Sequence, residues 1–176
     1  VLGRILSHYP RETYYLATKL PCWEISSRED AAERFARQLE RLRTDYVDFY
    51  LLHSLSRNTW RWMKELGVVE LLEEAQRRGR IRWFGFSFHD SPELLDEILT
   101  KHPEMEFVQL QINYVDWESE GVQSRKCYEV ARKYNKPVII MEPVRGGSLA
   151  IMPPQVQEVF KKAEPEMSVA SWAIRY

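Results

Sequence analysis

The chain has 176 residues, 44% hydrophobic and 12% aromatic, and its 25 basic residues stand against 26 acidic ones for a net charge of -1. That length fits one domain, residues 1–176, with a sizeable core, and excludes a disordered tail; the charge balance leaves no footprint for nucleic acid or an anionic membrane. Two cysteines, Cys22 and Cys127, are too few for a disulfide framework or a four-thiolate metal site, and no apolar run reaches bilayer length, so a reducing, cytoplasmic setting is expected.

In chain order, residues 1–8 read as the tail of a helix, with Val1, Leu2, Ile5 and Leu6 apolar. Residues 14–19 form a β-branched and aromatic run, a strand closed by Pro21. Ser27 opens a helix with Asp30 in the capping-box position and Ala31, Phe35, Leu39 and Leu42 at helical spacing. Residues 47–53 are nearly continuous in apolar side chains, as in a strand covered on both faces. The aromatic set Trp60, Trp62 and Met63 that follows suits a substrate loop or a cap over a barrel mouth equally well. Residues 68–78 read as a helix ended by Gly79, residues 81–88 as a strand, and Ser91-Pro92 as a helix start with Leu94, Leu95, Ile98 and Leu99 buried. A strand over 107–114, a helix over 124–135, a strand over 138–142 and two helices over 154–163 and 168–176 complete the chain. The start at Val1 rather than Met, and a last helix without a stop signal, lead to the expectation of a fragment of a longer parent.

Five strands alternating with helices in units of about thirty residues imply an α/β fold with a parallel sheet and right-handed crossovers. An open doubly wound sheet and part of an eight-stranded barrel both fit. No glycine-rich phosphate turn follows the first strand, where Leu20-Pro21-Cys22-Trp23 stands.

Lys19, His53, Ser87, Asn113 and Glu142 each close a predicted strand, and in either architecture those ends share the face that carries chemistry. A lysine after buried residues is partly desolvated, and a histidine at the next strand end can donate to a substrate oxygen. No His-x-His pair supports a metal hydrolase, and Gly85-Phe86-Ser87-Phe88 is not a nucleophile turn. Glu142, near Arg145, suits either a catalytic carboxylate or one half of a structural ion pair. No metal ligands are assigned.

Lys19 in LATKLP, the segment RLRTDYVDFYLLH ending at His53, GFS at residues 85–87, and Gln111-Ile112-Asn113-Tyr114 together resemble the aldo-keto reductase family. MEPVRGG at residues 141–147 resembles the subgroup with a ferredoxin-like 4Fe-4S extension at the C-terminus. The resemblance implies an incomplete (β/α)8 TIM barrel, its strands the third to seventh of eight, from an oxidoreductase that moves hydride between NADPH and a small aldehyde or ketone. It implies Lys19 and His53 as catalytic residues. Ser87 and Gln111 match positions that hold the nicotinamide carboxamide, and Met141 stands where an aromatic often stacks on the ring. Pro143, Arg145, Gly146 and Gly147 match the loop that opens the pyrophosphate cradle. Asn113 and Tyr114 are expected beside Gln111 on the active face.

The family's tetrad also contains an aspartate that pairs with the lysine and a tyrosine that protonates the carbonyl, both upstream of the position matching Lys19. Activity is therefore expected to need barrel segments of the parent outside this chain, as is any 4Fe-4S cofactor. A non-catalytic partial-barrel binding or scaffold protein is the alternative.

Overall fold

The computed structural model describes residues 1–176. Ser27 Oγ accepts the Asp30 N–H at 3.1 Å and starts α2 (Arg28–Leu42), while the Asp30 carboxylate reaches back to the Ser26 N–H at 2.9 Å. Ser91 Oγ caps α5 (Pro92–Lys101) by accepting the Leu94 N–H, with Pro92 at the first helical position, where its missing N–H costs nothing. The remaining elements are α1 (Leu2–Leu6), β1 (Ala17–Pro21), β2 (Val47–Leu55), α3 (Arg57–Glu65), α4 (Val68–Arg77), β3 (Ile81–Phe88), β4 (Phe107–Gln111), α6 (Ser124–Lys133), β5 (Val138–Met141), α7 (Pro154–Ala163) and α8 (Val169–Arg175). No helix is long and apolar enough to cross a membrane.

The strands form one parallel sheet in the order β1-β2-β3-β4-β5. Each strand is added on the same side of the last, so right-handed crossovers place the intervening helices on a single face. A doubly wound sheet would reverse its order part-way and be covered on both faces. The winding therefore decides for the barrel type. Leu20, Tyr50, Leu52, Phe84, Phe86, Val108 and Leu110 pack into the helix-covered core. The alternate residues face the helix-free side, where Lys19, Leu51, Gly85 and Phe107 stand level in register.

That side is concave. In a flat sheet β1 and β4 would lie roughly 14 Å apart, yet the Lys19 ammonium donates to Gln109 Oε1 on β4. Lower on the same face Tyr15, Phe49, Trp83 and Phe107 pack ring to ring, with Phe49 and Trp83 stacked at 4.7 Å. Gly85 permits the curl: a Cβ there would lie 2.3 Å from the Phe107 carbonyl oxygen. This close approach accounts for the glycine of the GFS motif.

β1 begins at Ala17 rather than Tyr14, because Arg11 and Asp48 take the preceding backbone. The Asp48 side chain is 2% exposed; its carboxylate accepts Arg11 Nη2 at 2.6 Å, the Leu16 N–H at 2.8 Å and Arg82 Nη1 at 3.3 Å. Arg11 also donates to Tyr14 O at 2.9 Å and lies 4.0 Å over the Tyr46 ring. β4 ends at Gln111, short of the predicted Tyr114: the Ile112 N–H still bonds to Met141 O on β5 at 3.1 Å, and the chain then enters a turn at Tyr114. Trp60, Trp62 and Met63, read from sequence as a substrate loop or a cap, belong to the helix α3. Its Trp60 and Met63 are buried, and Trp62 Nε1 donates to Ile25 O at 2.8 Å. The Asp90 carboxylate accepts the Ser91 N–H and the Arg57 N–H at the start of α3.

Removing the Asp48 carboxylate strands a partly buried guanidinium and an unpaired backbone N–H. Asp48→Ala is expected to cost about 3–5 kcal/mol of stability, measured by urea unfolding; a loss below about 1 kcal/mol would show that the cluster contributes little.

Candidate active site

His53 lies where β2 is irregular. Leu52 pairs with Phe86 and Leu55 with Phe88, so β2 carries one residue more than β3 over this stretch. The extra length is taken up at Ser54, whose φ of 58° is left-handed. A non-glycine residue held there is costly and persists only where its surroundings enforce it. Ser87 supplies the restraint: its Oγ accepts the Ser54 N–H at 2.8 Å, and the side chain is fully buried. The bulge re-aims the residues beside it, and the His53 ring packs 4.9 Å from Trp23.

Lys19 stands on the neighbouring strand, with Pro21 level with His53. Its partner is a neutral amide, Gln109, so nothing offsets the loss of hydration, and burial holds the ammonium below its ordinary pKa. Partial burial, then the Lys19 charge, then His89 lower the pKa of His53. Near neutral pH the His53 ring is therefore uncharged, and it offers a substrate oxygen one N–H while keeping one acceptor nitrogen. His89 follows β3, its N–H bonded to Leu55 O at 3.0 Å, and burial followed by the Lys19 charge lowers it in the same direction.

A second cluster forms at the ends of β4 and β5 around Asp116, a residue the sequence reading did not single out. Asp116 is 3% exposed, and Oδ2 accepts Gln111 Nε2 and Asn113 Nδ2, each at 2.9 Å, and Arg145 Nε at 3.1 Å. Burial raises the carboxyl pKa, but these donors and the guanidinium charge outweigh it and hold the group below its usual value. The only sequence signal is the spacing Asn113-x-x-Asp116, in which Asn113 Oδ1 accepts the Asp116 N–H at 2.9 Å.

Two expectations are corrected here. Arg145 pairs with Asp116 and not with Glu142, because Glu142 (φ 58°) is exposed after the turn out of β5. Tyr114 does not face the active side; its ring packs against Phe160 and Tyr176 of the C-terminal helical segment. Asn113 is buried, donating to Asp116 and to Glu142 O at 3.2 Å. Met141 is level with Gln111, and Pro143, Arg145, Gly146 and Gly147 form the loop after β5. The last three have φ of 48°, 61° and 93°, and a Cβ on Gly147 would meet nothing within 4 Å. A cavity of about 390 Å³ adjoins the cluster, lined by Phe88, His89, Ser91, Gln111, Ser124 and Cys127, with neither Lys19 nor His53 in its wall.

No three His, Cys, Asp or Glu side chains gather to hold a metal ion. Burial pushes the Cys22 thiol up to about 12 and that of Cys127 up to about 11, so both stay protonated near neutral pH.

The model of the aldo/keto reductase family matches residues 1–176. The chain belongs to that family. An uncharacterized oxidoreductase of Caenorhabditis elegans is 31% identical over 99 residues, which are 49% of this chain and 28% of that protein. An aldo/keto reductase from Brucella melitensis superposes with a TM-score of 0.74 at 20% identity, over 98% of this chain and 62% of that one. An aldo/keto reductase from Klebsiella pneumoniae, solved in complex with NADP and acetate, gives 0.72 at 19% identity, over 96% and 57%. At such identities the likeness is one of fold, a partial TIM barrel, and the chain spans about three-fifths of the length of these structures.

Within this reductase fold the pairing of Lys19 with a neutral amide is open to test. Gln109→Glu is expected to raise the pKa of Lys19, read from the side-chain ¹⁵N shift. Lys19→Met is expected to move the His53 titration upward, read from ring ¹⁵N shifts. Unmoved midpoints would show that the two strands' ends are not electrostatically joined.

Proposed function

We propose that these residues are the central part of a carbonyl reductase that uses NADPH and acts reversibly on a small aldehyde or ketone. The single observation that carries the reading is the placement of Lys19 and His53 on adjacent strands of the helix-free face, with the lysine charge weighing on the imidazole.

The donor set fits the dinucleotide. Ser87 is fully buried, and its oxygen accepts the Ser54 N–H, so it holds the bulge beside His53. Gln111 uses its amide nitrogen on Asp116 and keeps Oε1 to accept an N–H of a carboxamide. Arg145 uses Nε on Asp116 and keeps its terminal nitrogens for phosphate. Met141 offers a polarizable surface beside the ring, and Pro143, Gly146 and Gly147 shape the loop on which Arg145 sits. NADPH, when bound, supplies hydride to the carbonyl carbon. His53, neutral, holds the carbonyl oxygen through an N–H and fixes its direction. The Lys19 charge lowers the energy of negative charge developing on that oxygen.

No carboxylate pairs with Lys19 here. The reading assigns that carboxylate and the proton-donating tyrosine to segments of the protein outside these residues, along with any 4Fe-4S extension. The alternative, a non-catalytic binding or scaffold protein, draws on the five-stranded sheet, whose outer strands β1 and β5 have no partner on their far sides.

In the full protein, Lys19→Ala and His53→Ala are each expected to lower kcat/KM for carbonyl reduction by about 10²–10⁴, in an assay following NADPH absorbance. A full protein that does not bind NADPH would overturn the reductase reading; steady NADPH-dependent turnover by residues 1–176 alone would overturn the need for outside segments.

A further inference from the structure

We propose that Asp116 is the positioning residue of the dinucleotide site, one carboxylate that fixes both the amide orientation of Gln111 and the aim of Arg145. The inference rests on the reading of Gln111 and Arg145 given above and adds a residue to it. Asp116 lies neither on a strand nor in the loop after β5, yet it accepts a side-chain donor from each. The local turn is closed by other atoms: Asn113 Oδ1 accepts the N–H groups of Val115 and Asp116 at 3.2 and 2.9 Å. The Asp116 carboxylate is therefore free of backbone duties and is used on side chains.

Two consequences follow from the donor chemistry. An amide can present either its oxygen or its nitrogen to a ligand. With Nε2 of Gln111 bound to an anion, a flipped amide would set two acceptors against each other, so Oε1 must face the ligand. A guanidinium carries five N–H donors in a rigid fork. With Nε on Asp116, the plane of Arg145 is fixed while the terminal nitrogens keep their hydrogens. The nitrogen-to-oxygen bonds of 2.9 and 3.1 Å meet a carboxylate that is 3% exposed, so they are little screened. The two contacts also tie the ends of β4 and β5 together, so a shift of one donor is transmitted to the other through a single atom, Oδ2.

The test uses the full protein and NADPH itself, with binding read by quenching of tryptophan fluorescence. Asp116→Asn is expected to raise the NADPH Kd by at least about tenfold and to lower kcat as well, because a freed Gln111 amide no longer fixes the carboxamide. Asp116→Glu, which keeps the charge, is expected to recover part of both. In a double-mutant cycle, Arg145→Ala should weaken binding strongly in the parent and much less in the Asp116→Asn background; a purely structural aspartate would leave the two effects independent. Arg145→Lys keeps the charge but lacks the fork, and it is expected to bind NADPH as poorly as Arg145→Ala. This variant leaves Asp116 intact and so decides the matter even where Asp116→Asn does not fold. Normal binding by the parent with unchanged Kd in Asp116→Asn, additive effects in the cycle, or full binding by Arg145→Lys would overturn this inference alone. No binding by the parent would overturn the dinucleotide reading and this inference with it.

Discussion

A single buried carboxylate sets the phase of the sheet. Asp48 takes the Leu16 N–H from the segment entering β1 and the guanidinium groups of Arg11 and Arg82 from either side of β2. Because side chains alternate along a strand, a slip of one residue would send Lys19 to the helix side and Leu20 to the concave side. The clasp at the bottom of the strands is thus what places Lys19 level with Leu51 and Pro21 level with His53. Burying such a charge is unfavourable unless its lone pairs are matched. Here two cations and a backbone donor match them, and the geometry they demand leaves one register.

The concave face shows the opposite use of burial. Asp48 is surrounded by donors, whereas Lys19 meets only the amide of Gln109. A carboxylate partner would return the lysine toward its ordinary titration, and a neutral one does not. Burial first, and then the same lysine's charge, lower the pKa of both neighbouring histidines. Charge and neutrality on this face are set by which groups are absent from the immediate surroundings as much as by those present.

Periodicity and caps carried much of the fold. Ser27 and Ser91 start helices where their oxygens predict, β3 covers the expected residues, and β2 runs two residues past the expected His53, to Leu55. What periodicity could not decide was barrel against open sheet, since both alternate strand and helix; only the order of pairing distinguishes them. α3 was hidden because its apolar residues, Trp60, Trp62 and Met63, are bunched at its centre among polar neighbours, and its capping Ser56 and Thr59 follow the strand without a break. The bulge at Ser54 has no glycine to announce it, and its restraint, Ser87, comes from another strand. Lys19, His53, Gln111 and Arg145 were visible as residue types in a familiar order. Asp116 and Gln109 were not, because their roles arise from contacts between segments far apart in the chain.

A sheet wound in one direction can be laid down in the order in which it is synthesised. Each strand's first partner has already left the ribosome when it emerges, so β2 can pair with β1, and β3 with β2, without waiting for distant sequence. Strand partners are 22 to 34 residues apart in sequence, from Gly85 with Phe107 to Val47 with Ile81, and parallel pairing at such separations closes slowly. The curl is different. Lys19 and Gln109 are separated by 90 residues, so the concave face takes its shape only after the fourth strand is in place. Pairing can proceed during translation, while the curvature that joins β1 to β4 must come late.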